Sequence, residues 1–231
     1  MGKQTKGMTY FLFAMLAFGV LGLEFGVLFI SRIIDGRPLE QLGQWPIHWY
    51  GAIAHWVITI IIWLLGAYLI TLWAKKKDDL SQLVDVKLSK KGFILIGVAV
   101  MVVLIATLIE HLISGSEIPQ VYLEYKGFVS MYGSYAWLVT ISQVLYYAVE
   151  MLLVFIIIVL FQRFGEVVFK NKYIPYGSIG LMLTWGMIHF ISHPAGALYI
   201  TIWALVPGLL YIYGGKRFLP VYLLLLLGFI I

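Results

Sequence analysis

Residues 146–158 read YYAVEMLLVFIII, an apolar run with a single carboxyl, that of Glu150, near its start. The run continues to about residues 136 and 162, which is long enough for a helix to cross a hydrocarbon core of roughly 30 Å. An ionisable group at that depth is costly unless it is paired, hydrated or bound to a metal. The stretch therefore predicts a transmembrane helix whose carboxyl has a function.

The rest of the chain has the same apolar character. Hydrophobic residues make up 62% of the sequence and charged residues 12%, about half the charged share of a soluble domain, and the mean hydropathy is +0.96. We predict an all-α polytopic transmembrane bundle that forms a single integral membrane domain, residues 1–231. The apolar runs predict seven spans, at about 9–33, 47–74, 92–114, 136–162, 177–193, 196–213 and 218–231.

The basic residues are divided unevenly between the two sides of the predicted bundle. Thirteen of the sixteen fall in the N-terminal stretch or after the second, fourth and sixth spans, and the other side keeps Arg32, Arg37 and Lys126. Because cytoplasmic loops carry an excess of Lys and Arg, we predict a cytoplasmic N-terminus, in a multi-pass protein of a bacterial plasma membrane.

Composition also excludes several classes of partner and site. The net charge of +5 is explained by topology and does not indicate nucleic-acid binding. We expect the lipid bilayer as partner, and a peptide or membrane protein as substrate if the chain is an enzyme. Cysteine is absent, which excludes disulfides, thiolate metal sites and a cysteine nucleophile.

Polar residues within the spans follow helical spacing and form stripes on four of the predicted helices. Such stripes turn toward the bundle interior or a wet cavity rather than toward lipid. The rise of 1.5 Å per residue places Glu24 and Glu150 near the middle of the membrane, with His55 and His189 nearer the outer side. The outer boundary carries the remaining ionisable residues of the spans: His48, Glu110, His111 and His193.

Glu150 and His189 are the strongest candidates for chemistry. A carboxyl in an apolar helix can act as a general base or acid on a water molecule near neutral pH. We therefore predict that Glu150 and His189, on successive spans, form the centre of a site. The candidates for supporting roles are His193, His55, Glu110, His111, Tyr147 and Glu24.

Metal and haem sites are alternative hypotheses for the histidines. His189 and His193 are spaced as i and i+4, which presents two imidazoles on one helical face, as a metal site needs. His48 and His55 are two turns apart and would suit haem ligation if His111 or His189 faced them from another helix. The sequence does not assign a cofactor, and a metal held by His189 and His193 is the specific form of this hypothesis.

A third hypothesis involves no enzyme activity. Glu24, Glu150 and His55, with the Glu110–His111 pair, would line a proton or ion pathway, or the polar faces would bind a partner subunit. Glu24 also lies among glycines where helices can pack closely: Gly19, Gly22 and Gly26. In a structural role, Glu24 would satisfy a neighbouring histidine.

The C-terminal part of the chain, about residues 140–231, carries three short motifs in order. They are VEMLLVF at 149–155, WGMIH at 185–189 and, after an apolar run, GGKRFLP at 214–220. This series resembles the CAAX-protease and bacteriocin-processing (CPBP) family of intramembrane endopeptidases. That family has a helix with paired Glu and a following Arg, a helix with Phe-x-x-x-His, and a last helix with His and Asn.

The resemblance implies a role for each matching residue. Glu150 would activate water, and His189 would position it or stabilise the developing oxyanion. The second Glu, the Arg and the Asn of the family pattern are absent, and Leu225 stands about where its second His would be. The resemblance therefore implies an intramembrane protease or a non-proteolytic relative, with His193, His55 or His111 as the substitute for the missing histidine.

Overall fold

The computed structural model describes residues 3–37, 45–76, 90–115, 120–192 and 197–230, and within these ranges the chain is helical without strands, as predicted. A 3₁₀ turn, Gly133–Tyr135, and a π-helical turn, Met182–Gly186, interrupt the α-helices. The helices are α1 (Lys3–Gly22), α2 (Glu24–Ile34), α3 (Trp49–Lys75), α4 (Lys90–Ser114), α5 (Gln120–Tyr132), α6 (Ala136–Phe169), α7 (Tyr176–Leu181), α8 (Met187–Ser192), α9 (Ala197–Tyr213) and α10 (Phe218–Ile230).

In the described part of the chain, four segments are long and apolar enough to cross a membrane. They correspond to the first four predicted spans, although a turn at Leu23 divides the first into α1 and α2, and α5 extends the fourth. The last three predicted spans correspond to shorter apolar helices within 176–191, 199–213 and 218–228. The four long segments are Lys6–Ile34, Trp49–Lys75, Gly92–Ile113 and Gln120–Phe169.

Helix α6 is the centre of the bundle, and α1, α3, α5, α7 and α10 all pack against it. Its middle is apolar on every side, and Leu153, Phe155 and Ile157 are completely buried. A helix that is hydrophobic all round belongs in the interior, because no face of it favours water. The same burial encloses Glu150, which is 6% exposed.

Glycines on α7 allow it to approach α6 closely. A Cβ at Gly177 would lie 2.5 Å from the backbone oxygen of Ile158, and a Cβ at Gly180 would overlap the ring of Phe161. Small residues at a helix interface let two backbones come together, which strengthens their packing. This contact sets the position of the π turn and of α8, which follow α7 directly.

The predicted close packing around Glu24 is wrong. At Gly19, Gly22 and Gly26, no described atom lies within 4 Å of the position that a Cβ would occupy. A glycine-rich stretch shows that a close approach is sterically allowed, but it does not say which face meets a neighbour. The rotation of α1 and α2 in the bundle turns these glycines away from the other helices.

We expect Gly177→Ala to destabilise the protein by about 1–3 kcal/mol, because its methyl group would collide with a backbone carbonyl that cannot move aside freely. The matched control is Gly97→Ala on α4, where nothing described lies within 4 Å of the added Cβ. Removing this helical glycine should stabilise the protein by about 0.5–1 kcal/mol. Thermal unfolding in detergent measures both changes, and equal effects would contradict the close contact between α6 and α7.

Candidate active site within the helical bundle

Glu150 makes its hydrogen bond to the segment that leads into α8. Its Oε1 accepts a hydrogen bond of 2.9 Å from the indole Nε1–H of Trp185, and both residues are buried. An indole N–H is a donor only, so this bond satisfies the indole of Trp185. A carboxyl oxygen accepts such a bond in both the ionised and the protonated form, so the bond does not fix the charge of Glu150. The Trp185 bond uses Oε1, so Oε2 is the carboxyl oxygen that it leaves for a water molecule.

Trp185 also connects Glu150 to His189. The two rings stack with their centroids 3.6 Å apart and an angle of 26° between their planes. Trp185 lies in the π-helical turn, an irregularity that occurs frequently at functional sites. Glu150 and His189 are therefore linked through one indole, with Glu150 at its N–H and His189 on its face, which the sequence did not indicate.

The backbone selects the tautomer of His189. Its Nδ1 lies 2.9 Å from the carbonyl oxygen of Trp185, one turn earlier. Because a carbonyl oxygen only accepts hydrogen bonds, we assign the proton to Nδ1. In the neutral ring, Nε2 then carries the lone pair, so it can orient a water molecule by accepting its hydrogen bond.

A second carboxyl, that of Glu24, lies between three helices. Its Oε2 accepts a hydrogen bond of 2.8 Å from the Tyr146 hydroxyl on α6, and its Oε1 lies 3.3 Å from Nε2 of His55 on α3. The His55 side chain is fully buried, whereas that of Glu24 is 27% exposed. Glu24 therefore connects the interior to the protein surface.

Tyr146 is the member of this cluster that sequence reasoning missed. It precedes Glu150 by four residues, so both side chains lie on the same face of α6. That spacing is the available signal, but the supporting tyrosine predicted from the sequence is Tyr147, three residues before Glu150. Tyr146 thereby brings the Glu24–His55 cluster to within one helical turn of Glu150.

Tyr147 contributes to a different network. Its hydroxyl donates a hydrogen bond of 2.6 Å to Oε1 of Glu124 on α5 and accepts one of 2.9 Å from the Gln143 amide. Gln120 donates a further bond of 3.1 Å to the same carboxyl oxygen. Tyr147 therefore helps to fasten α5 onto α6, and the geometry does not direct its hydroxyl to Glu150.

The other residues predicted for the site lie elsewhere in the bundle or outside the described residues. Glu110 and His111 are half-buried near the end of α4, which packs against α9 and α10. The His48 side chain is 51% exposed, and its Nδ1 lies 3.1 Å from Oδ1 of Asp35. His193 lies outside the described residues, so its proposed roles stay predictions.

Among the residues that the structure describes, no three or more His, Asp or Glu side chains are grouped so as to hold a metal ion. Two of the histidines proposed for haem ligation have other contacts: His48 lies against Asp35, and His55 lies against Glu24. The specific metal hypothesis requires His193 and stays a prediction. The arrangement of Glu150, Trp185 and His189 suits proton transfer to and from water.

Helix α10 lies beside the turn of α6 that carries Glu150. The Tyr222 hydroxyl donates a hydrogen bond of 2.9 Å to the backbone oxygen of Ala148. Leu225, one turn further along α10, is completely buried. The position at which the family resemblance implies a second histidine is thus inside the bundle and occupied by an apolar side chain.

No family model, curated protein or solved structure matches this chain.

Proposed function

We propose that this protein is an intramembrane protease-like protein of the CPBP type, in which Glu150 activates water and His189 assists. The Trp185–Glu150 hydrogen bond carries the proposal, because it holds the carboxyl against the segment that bears His189. The substrate would be a peptide or a segment of a membrane protein. The proposal includes about seven spans and a cytoplasmic N-terminus in a bacterial plasma membrane.

The proposed reaction is hydrolysis of a peptide bond. The water oxygen adds to the carbonyl carbon while Oε2 of Glu150 takes up a proton from the water, which Nε2 of His189 orients. The C–N bond then breaks, and the proton passes from Glu150 to the leaving amine. Each turnover consumes one water molecule and returns both side chains to their starting states.

The apolar side chain of Leu225 affects the rate that we expect for this hydrolysis. A second histidine there would add a donor for the developing oxyanion, which is a major source of rate in acyl transfer. Without it, we expect a slower hydrolase, or a relative that binds the same kind of peptide without cleaving it.

The test is a cleavage assay on the purified protein in liposomes, with a fluorogenic peptide that spans the bilayer as substrate. Slow cleavage by the wild type that is lost in the Glu150→Gln and His189→Ala variants would support hydrolysis. Crosslinking of the peptide near α6 without cleavage would support the binding form. Neither cleavage nor crosslinking by the wild type would contradict the proposal.

Proton transfer is a second candidate function, and the Glu24 cluster is the observation that favours it. Imidazole, carboxyl and phenol groups succeed one another from His55 through Glu24 to Tyr146, at distances of 3.3 Å and 2.8 Å. Each of these groups can donate and accept a proton, as a relay requires. Ionisable chains of this kind mark proton pathways in membrane proteins.

We expect Glu24→Gln to reduce proton flux through the protein by at least about tenfold if the cluster is a relay, because an amide does not take up a proton near neutral pH. A pH-sensitive dye inside liposomes measures the flux. The matched control is Glu124→Gln, which also removes a carboxyl bonded to a tyrosine but lies in the separate α5 network. The absence of flux in the wild type, or equal loss in both variants, would contradict the relay.

A further inference from the structure

A cavity of about 820 Å³ opens where the start of α1 meets the end of α6, on the side to which the predicted topology assigns most of the basic residues. This volume is within the range of small-molecule sites. Its described lining includes three lysines, Lys6, Lys170 and Lys172, together with Asn171 and the aromatic side chains of Phe169 and Tyr173. It is separate from the sites around Glu150 and Glu24.

The chain builds this cavity through one close contact and one unusual backbone conformation. A Cβ at Gly7 would lie 2.7 Å from Cγ2 of Val168, so the glycine allows α1 to pack tightly on the last turn of α6 and places Lys6 beside it. Helix α6 ends at Phe169, and the next residue, Lys170, has a φ of 55°, in the left-handed region that glycine prefers. The chain turns sharply there and brings Lys172 to the same rim.

The described lining of the cavity has more basic than acidic side chains. Glu166 also lines it, but its Oε1 lies 2.5 Å from Nζ of Lys216, which does not belong to the described lining. This carboxylate is thereby paired with a lysine from outside the described lining, and the described lining carries three lysines against this one carboxylate. Such an excess of basic groups attracts a compact anion that bears several acceptor oxygens.

We propose that this cavity binds the headgroup phosphate of an anionic phospholipid. Two observations favour a lipid: the cavity lies at the ends of two membrane-spanning segments, and Phe169 and Tyr173 are exposed beside it. Aromatic side chains collect at the level of the headgroups, where one part of a ring meets the lipid and another meets water. The lysines supply the charge that selects an anionic headgroup over a zwitterionic one.

The test is lipid retention by the purified protein, measured by native mass spectrometry with added phosphatidylglycerol or phosphatidylcholine. We expect preferential binding of phosphatidylglycerol, which weakens by about fivefold for each lysine removed and by on the order of a hundredfold in the variant Lys6→Gln/Lys170→Gly/Lys172→Gln. Glycine at position 170 removes the charge without straining the left-handed backbone. The wild-type preference should also weaken at high salt.

The matched control is Lys75→Gln/Lys76→Gln, because these lysines lie at the end of α3 on the same basic side but do not belong to the described lining. Retention of phosphatidylglycerol by this control at the wild-type level would support the proposal. Equal losses in the two variants, or equal retention of the two lipids by the wild type, would overturn it. Displacement of the lipid by soluble glycerol phosphate at equal concentration would also overturn it, because the ligand would then be a free phosphate.

Discussion

Replacing Glu150 with glutamine is expected to lower the rate of the proposed peptide cleavage by about 10²- to 10⁴-fold, the range for loss of a general acid–base group. The amide has nearly the shape of the carboxyl, and its oxygen can still accept the Trp185 hydrogen bond, so the helices should remain in place. The amide cannot accept a proton from water. The loss should therefore appear in kcat, with little change in KM.

Thermal unfolding in detergent should accompany this measurement, because a folded but inactive variant is the expected result. The matched control is Glu166→Gln, which removes a carboxyl from the same helix at its far end, where it pairs with Lys216. Full activity of Glu150→Gln would remove Glu150 from the mechanism. Equal loss of activity in the two variants would indicate a general effect on α6 instead.

Asp35→Ala should destabilise the protein by about 3–5 kcal/mol, as expected when one partner of a buried ion pair is removed. The Asp35 carboxylate is completely buried and accepts backbone hydrogen bonds of 2.8 Å from Ile47 and 3.0 Å from His48. Its Oδ2 also lies 2.8 Å from Nε of Arg37, whose side chain is 4% exposed. Alanine would leave two backbone donors and a buried cation without this carboxylate.

His48→Ala is the matched comparison for Asp35. It removes the imidazole contact with Asp35 but retains both backbone hydrogen bonds, and the imidazole is half exposed. We therefore expect a cost of about 1 kcal/mol or less. Chemical denaturation in detergent, followed by tryptophan fluorescence, would measure both variants. Equal costs would show that the carboxylate does not organise the connection between α2 and α3.

The sequence predicts which residues lie within apolar helices, but it does not predict how each helix is rotated in the bundle. Glu150 and His189 were selected because each interrupts an apolar helix, and the structure places both on one indole. Residue spacing puts Trp185 one turn before His189, but its role as the link depends on the π turn. That turn changes the direction of side chains within one helical turn, and residue spacing does not reveal it.

Residue spacing also does not reveal the partners of Glu24. His55 and Tyr146 come from α3 and α6, and they are separated from Glu24 by 31 and 122 residues. Periodicity shows which residues share a face of one helix, but not which faces meet. Gly177 and Gly180 pack closely on α6, whereas the glycines around Glu24 do not. The difference arises because the burial of the latter depends on how α1 and α2 are rotated.

The sequence by itself determined that the chain is helical and apolar enough to cross a membrane, and that a few ionisable groups lie within those helices. The physical reason is local: the length of an apolar run and the cost of burying a charge depend on the residues of that run alone. Only the tertiary structure decided that Glu150 meets Trp185 while Glu24 meets Tyr146 and His55. These pairings depend on the packing of separate helices around α6, where close contacts set the rotation of each helix.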